Sequence, residues 1–212
     1  MRWNGRLLSD FKLYLILDTE VADYTHLLAI AQKCIGAGVD LIQLRDKKGS
    51  AKEILQFSRI LLNVLRDQIP FIINDRVDLA IACKAAGVHL GQDDMPLTIA
   101  RKIMGKKAVI GASCQTFGHA QEAVRAGADY IGFGSIFKTL TKPERKPMDL
   151  GLLAQVVRKI RIPVFAIGGI NQKNVALLHA VGTERIAVCR SVCAAADPER
   201  SIKALRAALN KH

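Results

Sequence analysis

Short apolar runs alternate with longer stretches of helical periodicity along almost the whole chain. The runs lie near 13–18, 41–45, 71–75, 87–91, 108–113, 129–134, 163–169 and 185–189. Each has the length of one strand and is nearly continuous in apolar character, the pattern of parallel strands buried on both faces. Between the first two, Leu27, Leu28, Ala31 and Ile35 fall on one helical stripe that Gly36-Ala37-Gly38 closes. Similar stripes predict helices over 51–66, 76–84, 96–104, 119–126, 150–160 and 198–210. Eight strands alternating with helices predict a closed (β/α)8 TIM barrel forming a single domain over 1–212. An open doubly wound sheet would need a glycine fingerprint after its first strand, and Asp18-Thr19-Glu20-Val21-Ala22 contains no glycine.

In such a barrel the chemistry sits on the loops that follow the strands, and the polar residues of this chain gather there. Asp75 and Asp94 stand just past the third and fourth runs, where neighbouring strands bring two carboxylates to one rim. Hard carboxylate oxygens beside a phosphate ligand make sense as a magnesium bridge, because without a cation they would repel it. Taken singly, each also fits a plain role, Asp75 capping the next helix and Asp94 starting a turn before Pro96. Strand alternation sets Gln43, Arg45 and Lys47 on one side of the second run, with Ile42 and Leu44 towards the helices. Arg45 and Lys47 suit pyrophosphate oxygens, the first as a fork and the second as a point charge, or are plain surface charges on a strand–helix loop, a reading that fits Lys47 at least as well. Gly168-Gly169 after the seventh run suits a phosphate bound by backbone N–H groups, or a simple turn.

Composition narrows the partners. Lys and Arg outnumber Asp and Glu by 31 to 19, a net charge of +12 that favours anionic ligands. Phosphates, nucleic acid and an acidic membrane surface all qualify, and charge alone does not choose among them; few aromatic residues and no long basic run argue against nucleic acid, and a solvated basic surface is the plainer reading. Five cysteines without a C-x-x-C pair indicate neither a zinc ribbon nor a complete disulfide set. No apolar run approaches the roughly 18 to 20 residues of a membrane span, and the first residues lack a signal-peptide core, so a cytoplasmic location without membrane attachment is expected.

Gln43-Leu-Arg-Asp-Lys47, Asn74-Asp75-Arg76, His89-Leu-Gly-Gln-Asp-Asp94, Gly111-Ala-Ser113, Asp129-Tyr-Ile-Gly-Phe-Gly134, Thr139-Leu-Thr-Lys142 and Ala166-Ile-Gly-Gly-Ile170 follow one another in order. Together, over about residues 13 to 205, they resemble the ordered motifs of thiamine phosphate synthases. The resemblance implies a transferase of thiamine biosynthesis that joins a hydroxymethylpyrimidine pyrophosphate to a thiazole phosphate and releases pyrophosphate. It implies magnesium on Asp75 and Asp94, and the pyrimidine pyrophosphate on Gln43, Arg45, Lys47, Asn74, Ser113 and Lys142. The thiazole phosphate would fall to Thr139, Thr141 and Gly169, with Cys189 and Arg190 after the eighth strand. No catalytic nucleophile is implied, since the family's chemistry needs a neutralised leaving group and two positioned substrates. Cys189-Arg190 departs from the small hydroxyl residue usual at that point. A tautomerase branch of the same fold uses a His just after strand five, where this chain has Ser113-Cys114-Gln115. A noncatalytic phosphate-ligand or nucleic-acid binder is the alternative from another class, because a fold does not fix a function.

Overall fold

The computed structural model describes residues 2, 3, 5–141 and 146–210. Eight parallel strands close into a barrel: β1 Leu13–Asp18, β2 Leu41–Arg45, β3 Phe71–Asn74, β4 Gly87–Leu90, β5 Val109–Cys114, β6 Tyr130–Phe133, β7 Val164–Ile167 and β8 Ile186–Val188. Every strand pairs with its sequence neighbours, and β8 completes the ring by pairing with β1, Ile186 opposite Leu13. The connecting helices are α1 Tyr24–Cys34, α2 Ala51–Leu65, α3 Val77–Cys83, α4 Leu97–Met104, α5 Phe117–Arg125, α6 Leu150–Lys159, the single turns α7 Ala176–His179 and α8 Arg190–Cys193, and α9 Pro198–Leu209. The expected barrel is present. Its strands are shorter than the apolar runs at several ends, for local reasons. Asp75 leaves β3 with φ of +62°, and Gly168 and Gly169 end β7 at +106° and +67°, none of them an extended conformation.

Local signals account for the helix starts. Ser50 and Glu53 form a reciprocal capping box at α2, and Asp23, Thr116 and Asp197 each accept a backbone N–H at the start of α1, α5 and α9. The Thr116 cap is why α5 begins two residues before the expected His119.

Strand alternation divides the core in two. Leu13, Leu15 and Leu17 of β1 face the helices in the outer layer, while Tyr14 and Ile16 face the barrel interior. The interior is filled by Phe11, Tyr14, Leu41, Ile72, Val109, Tyr130 and Phe165 among others. Tyr14, Tyr130 and Phe165 meet edge to face in a three-ring cluster, with centroids 5.5 to 5.6 Å apart. The ring of Tyr130 occupies space that only a glycine at 111 leaves open, because a Cβ there would overlap it.

At the opposite end of the barrel Asp40 is buried and gathers the chain's two ends. It accepts from Arg206 of α9 at 2.6 Å and from the N–H groups of Lys12 and Leu13 at 2.7 and 2.9 Å, and pairs with Arg6. Arg6 belongs to a short antiparallel pair, Arg2–Trp3 with Arg6–Leu7, and its guanidinium lies 5.2 Å from the Phe11 ring centre. Among the described residues no helix is long and apolar enough to cross a membrane.

Candidate active site

The strands deliver their C-terminal ends to one rim, and there a cavity of about 370 Å³ opens into the barrel. From β1 to β5 it is lined by Asp18, Gln43, Arg45, Asn74, His89 and Ser113, and from the loops after β6 to β8 by Lys138, Thr139, Thr141, Gly168, Gly169, Asn171, Arg190 and Ser191. The candidates Gln43, Arg45, Asn74, Ser113, Thr139, Thr141, Gly169, Cys189 and Arg190 therefore share one cavity. Lys142 lies outside the described residues.

Asp75, Asp94 and Lys47 form a separate cluster on the rim beside Asn74. The Lys47 ammonium pairs with Asp75, and the Asp75 and Asp94 carboxyl groups share a hydrogen bond. Asp75 is not a helix cap, since Arg76 occupies that position without a side-chain cap bond. Its left-handed backbone, fixed by an N–H bond to His89 O at 2.9 Å, carries the side chain towards Asp94 instead. Asp94 is held by the Gly91 N–H at 2.6 Å. Burial and the hydrogen bond with Asp94 push the Asp75 carboxyl up. Asp94 is pushed up by its own burial, but the hydrogen bonds from Asp75 and Gly91 outweigh this and hold it down. Two carboxylates this close share a proton or a cation. The donor set fits magnesium: two hard oxygen ligands on one rim, with the remaining positions left to phosphate oxygens and water. Among the described residues no group of three or more His, Cys, Asp or Glu side chains forms a fuller cage.

Arg45 enters the cavity already held. Its Nη1 donates to Asp18 at 2.8 Å and Glu20 at 2.9 Å, and Asp18 is wholly buried. Burial alone would lower its pKa, yet the two carboxylates raise it, so the guanidinium is a fixed cation in the wall. The apolar run ending at Asp18 gave no sign of this pairing, which exists only because β1 and β2 are neighbours.

Gly168 and Gly169 are glycines for two reasons. Both have φ in the left-handed range, and a Cβ on either would meet Ser135 or the Phe137–Lys138 backbone of the β6 loop. The Gly169 carbonyl accepts from Asn171 Nδ2 at 3.2 Å and Asn174 Nδ2 at 2.9 Å, which fixes the turn that borders the cavity. Beside it, Arg190 is exposed and, among the described residues, has no carboxylate partner. Ser191 Oγ is buried without a partner among the described residues. The hydroxyl absent at Arg190 thus recurs one residue later. Residue type alone was the signal for it, and a lone Ser carries little.

Cys189 is the cavity's intermediate-exposure thiol. A hydrogen bond with Cys193, then burial, push it far above the ordinary thiol range, so it stays protonated and unsuited to nucleophilic attack. His26 and His179 lie on helices away from the cavity lining, as does His119. His89 is structural in its bonding: Nδ1 lies 3.1 Å from Tyr130 Oη and Nε2 3.0 Å from Ser113 Oγ. Tyr14 and Tyr130 sit inside apolar runs, where nothing in the sequence marks their hydroxyls as polar groups of the site, although a buried phenol needs a hydrogen-bond partner.

A family model described as thiamine monophosphate synthase matches residues 13–192. A thiamine-phosphate synthase of Syntrophomonas wolfei is 38% identical over 200 residues, 93% of this chain and 96% of that protein. One from Halalkalibacterium halodurans is 44% identical over 190 residues, 89% of this chain and 90% of that protein. The solved thiamine phosphate pyrophosphorylase from Pyrococcus furiosus superposes with a TM-score of 0.85 at 34% identity, covering 96% of this chain and 98% of that one. The chain therefore belongs to the thiamine monophosphate synthase family, and its activity is thiamine-phosphate synthesis in thiamine biosynthesis.

Proposed function

We propose that the cavity joins 4-amino-2-methyl-5-hydroxymethylpyrimidine pyrophosphate to 4-methyl-5-(2-phosphoethyl)thiazole, with magnesium on Asp75 and Asp94. The observation that carries this reading is the contact between these carboxylates beside Lys47 and Asn74, across the rim from Thr139, Thr141, Gly169 and Arg190. Two phosphorylated ligands thereby find separate halves of one mouth. Magnesium supplies positive charge to the pyrophosphate.

In this reading Gln43, Asn74 and Ser113 hold the pyrimidine, and Arg45, Lys47 and Lys142 offset the pyrophosphate charge. The bond from the pyrimidine methylene to pyrophosphate oxygen breaks, its electron pair leaving with pyrophosphate. The thiazole nitrogen lone pair forms the new carbon–nitrogen bond. Thr139, Thr141, Gly169, Cys189 and Arg190 hold the thiazole phosphate so that its nitrogen faces that carbon. No protein nucleophile takes part, consistent with the protonated Cys189. The barrel floor of Tyr14, Tyr130 and Phe165 keeps water from below the reacting carbon. All five cysteines are free, which supports a reducing compartment, and the cytoplasm is the location this reading takes.

The test is incubation with both substrates, with and without magnesium, reading thiamine monophosphate and pyrophosphate together. Equal formation of both, dependent on magnesium, supports the reading. Product formed at the same rate in excess chelator would overturn the metal assignment.

A further inference from the structure

Five polar groups form one hydrogen-bonded line across the barrel interior. Gln43 Nε2 donates to Tyr14 Oη, Tyr14 Oη lies 2.9 Å from Tyr130 Oη, and Tyr130 Oη lies 3.1 Å from His89 Nδ1. His89 Nε2 lies 3.0 Å from Ser113 Oγ. Tyr14 and Tyr130, at 1% and 0% exposure, are sealed beneath the cavity, while Gln43 at one end and His89 and Ser113 at the other line it.

One run of donors and acceptors, begun by the first bond, satisfies every link. An amide nitrogen only donates, so Tyr14 Oη accepts from Gln43, and in this run the single Tyr14 hydrogen goes on to Tyr130. Tyr130 passes its hydrogen to His89 Nδ1, which must then be the bare nitrogen of a neutral ring. The ring hydrogen is therefore on Nε2 and is donated to Ser113 Oγ. Ser113 keeps its own hydrogen for the cavity, and Gln43 keeps its carbonyl oxygen Oε1. The line thus presents an acceptor from β2 and a donor from β5.

We propose that Tyr14, Tyr130 and His89 are positioning residues that fix Gln43 as an acceptor and Ser113 as a donor, so that the cavity selects an aminopyrimidine over its oxo analogue. The inference rests on the reading that Gln43 and Ser113 hold the pyrimidine. An aminopyrimidine offers N–H hydrogens on one edge and a ring-nitrogen lone pair on another, matching the two ends. Replacing the amino group by an oxo group turns that donor into an acceptor, which would face Gln43 Oε1 with no hydrogen between them. A site built to pair one pattern rejects the other because its own buried groups are left unpaired. Gly111 makes room for the Tyr130 ring, and the three-ring cluster with Tyr14 and Phe165 holds that ring where its hydroxyl reaches His89.

Two measurements on the full chain test the proposal separately from the site reading. Long-range ¹H–¹⁵N correlation spectra of the wild-type protein should give His89 as a neutral ring protonated on Nε2. A ring protonated on Nδ1, or on both nitrogens, would overturn the directed line whatever the substrate. The second is Tyr130→Phe, which keeps the ring and removes only the central hydroxyl. Its KM for the pyrimidine pyrophosphate should rise, and its kcat/KM preference for the amino over the 4-oxo pyrophosphate should fall at least tenfold. The thiazole-phosphate KM should be unchanged. A fall in kcat with that preference intact marks a purely structural hydroxyl and overturns the proposal. Tyr14→Phe breaks the same line one link earlier and serves if the first variant does not fold. Gln43→Ala separates the premise: an unchanged pyrimidine KM there sinks the site reading while the His89 spectrum still judges the line.

Discussion

Replacing Arg190 with alanine removes the one charged side chain that the turn after β8 contributes to the cavity lining. The residue opens α8, where alanine keeps the helix, so the change isolates the guanidinium. Among the described residues no carboxylate neutralises it, and Thr139, Thr141 and Gly169 share its part of the wall. A charge-assisted hydrogen bond to phosphate contributes about 1.5 to 3 kcal/mol where it is shielded from water. Arg190 is exposed, so screening reduces that value, and about 1.4 kcal/mol is the expected loss, a factor of about ten. The assay varies thiazole phosphate at saturating pyrimidine pyrophosphate, and then the reverse. The thiazole-phosphate KM should rise about tenfold with kcat little changed, and the pyrimidine constant should stay within about twofold. Added salt should shrink the difference between variant and wild type, because the contact is screened. An unchanged thiazole-phosphate KM in a folded variant refutes the reasoning, and would leave that phosphate to Ser191 and the backbone of the Gly168-Gly169 turn.

Asp75→Asn preserves the left-handed backbone that Asp75 adopts, since asparagine tolerates it. It should cut activity by about 10²-fold or more at limiting magnesium, as should Asp94→Asn, with partial recovery at high magnesium; near-normal activity at every concentration removes that residue from the metal site. Asp40→Ala strips Arg206 of a buried carboxylate and leaves two N–H groups unpaired, so unfolding in urea should show a loss of about 3 to 5 kcal/mol. At Asp46, burial pushes the carboxyl up but is outweighed by the Tyr24 hydroxyl and the N–H groups of Gly49 and Lys48, leaving its folded pKa lowered. That contribution to stability is full above the unfolded carboxylate pKa and disappears as pH falls through the lower folded value. Tyr24→Phe should therefore destabilise more at pH 7 than at pH 2 in urea melts, and an equal loss at both would contradict the linkage.

The chain's short continuous apolar runs and its helical stripes determined the barrel. A strand buried on both faces must be apolar throughout, and that is a local property written residue by residue. Parity put Gln43 on the interior side of β2, and the polar residues at strand ends marked the rim that holds Asn74, Ser113, Thr139 and Gly169. The fate of each polar group was decided only by barrel closure. Tyr14 and Tyr130 are 116 residues apart in sequence, and nothing local distinguishes their phenols from apolar neighbours until β1 and β6 face one another across the interior. Arg45 was legible as a cation, but its pairing with Asp18 depends on β1 lying beside β2 in register, Asp18 opposite Arg45. Asp75 and Asp94 were legible as two carboxylates near strand ends, yet their contact required the left-handed turn at Asp75 and the Gly91 N–H on Asp94. Hydrophobic burial acts on each residue by its own surface and so leaves its trace in sequence, whereas a hydrogen bond or ion pair needs two groups at a set distance and direction, which only the packed chain supplies.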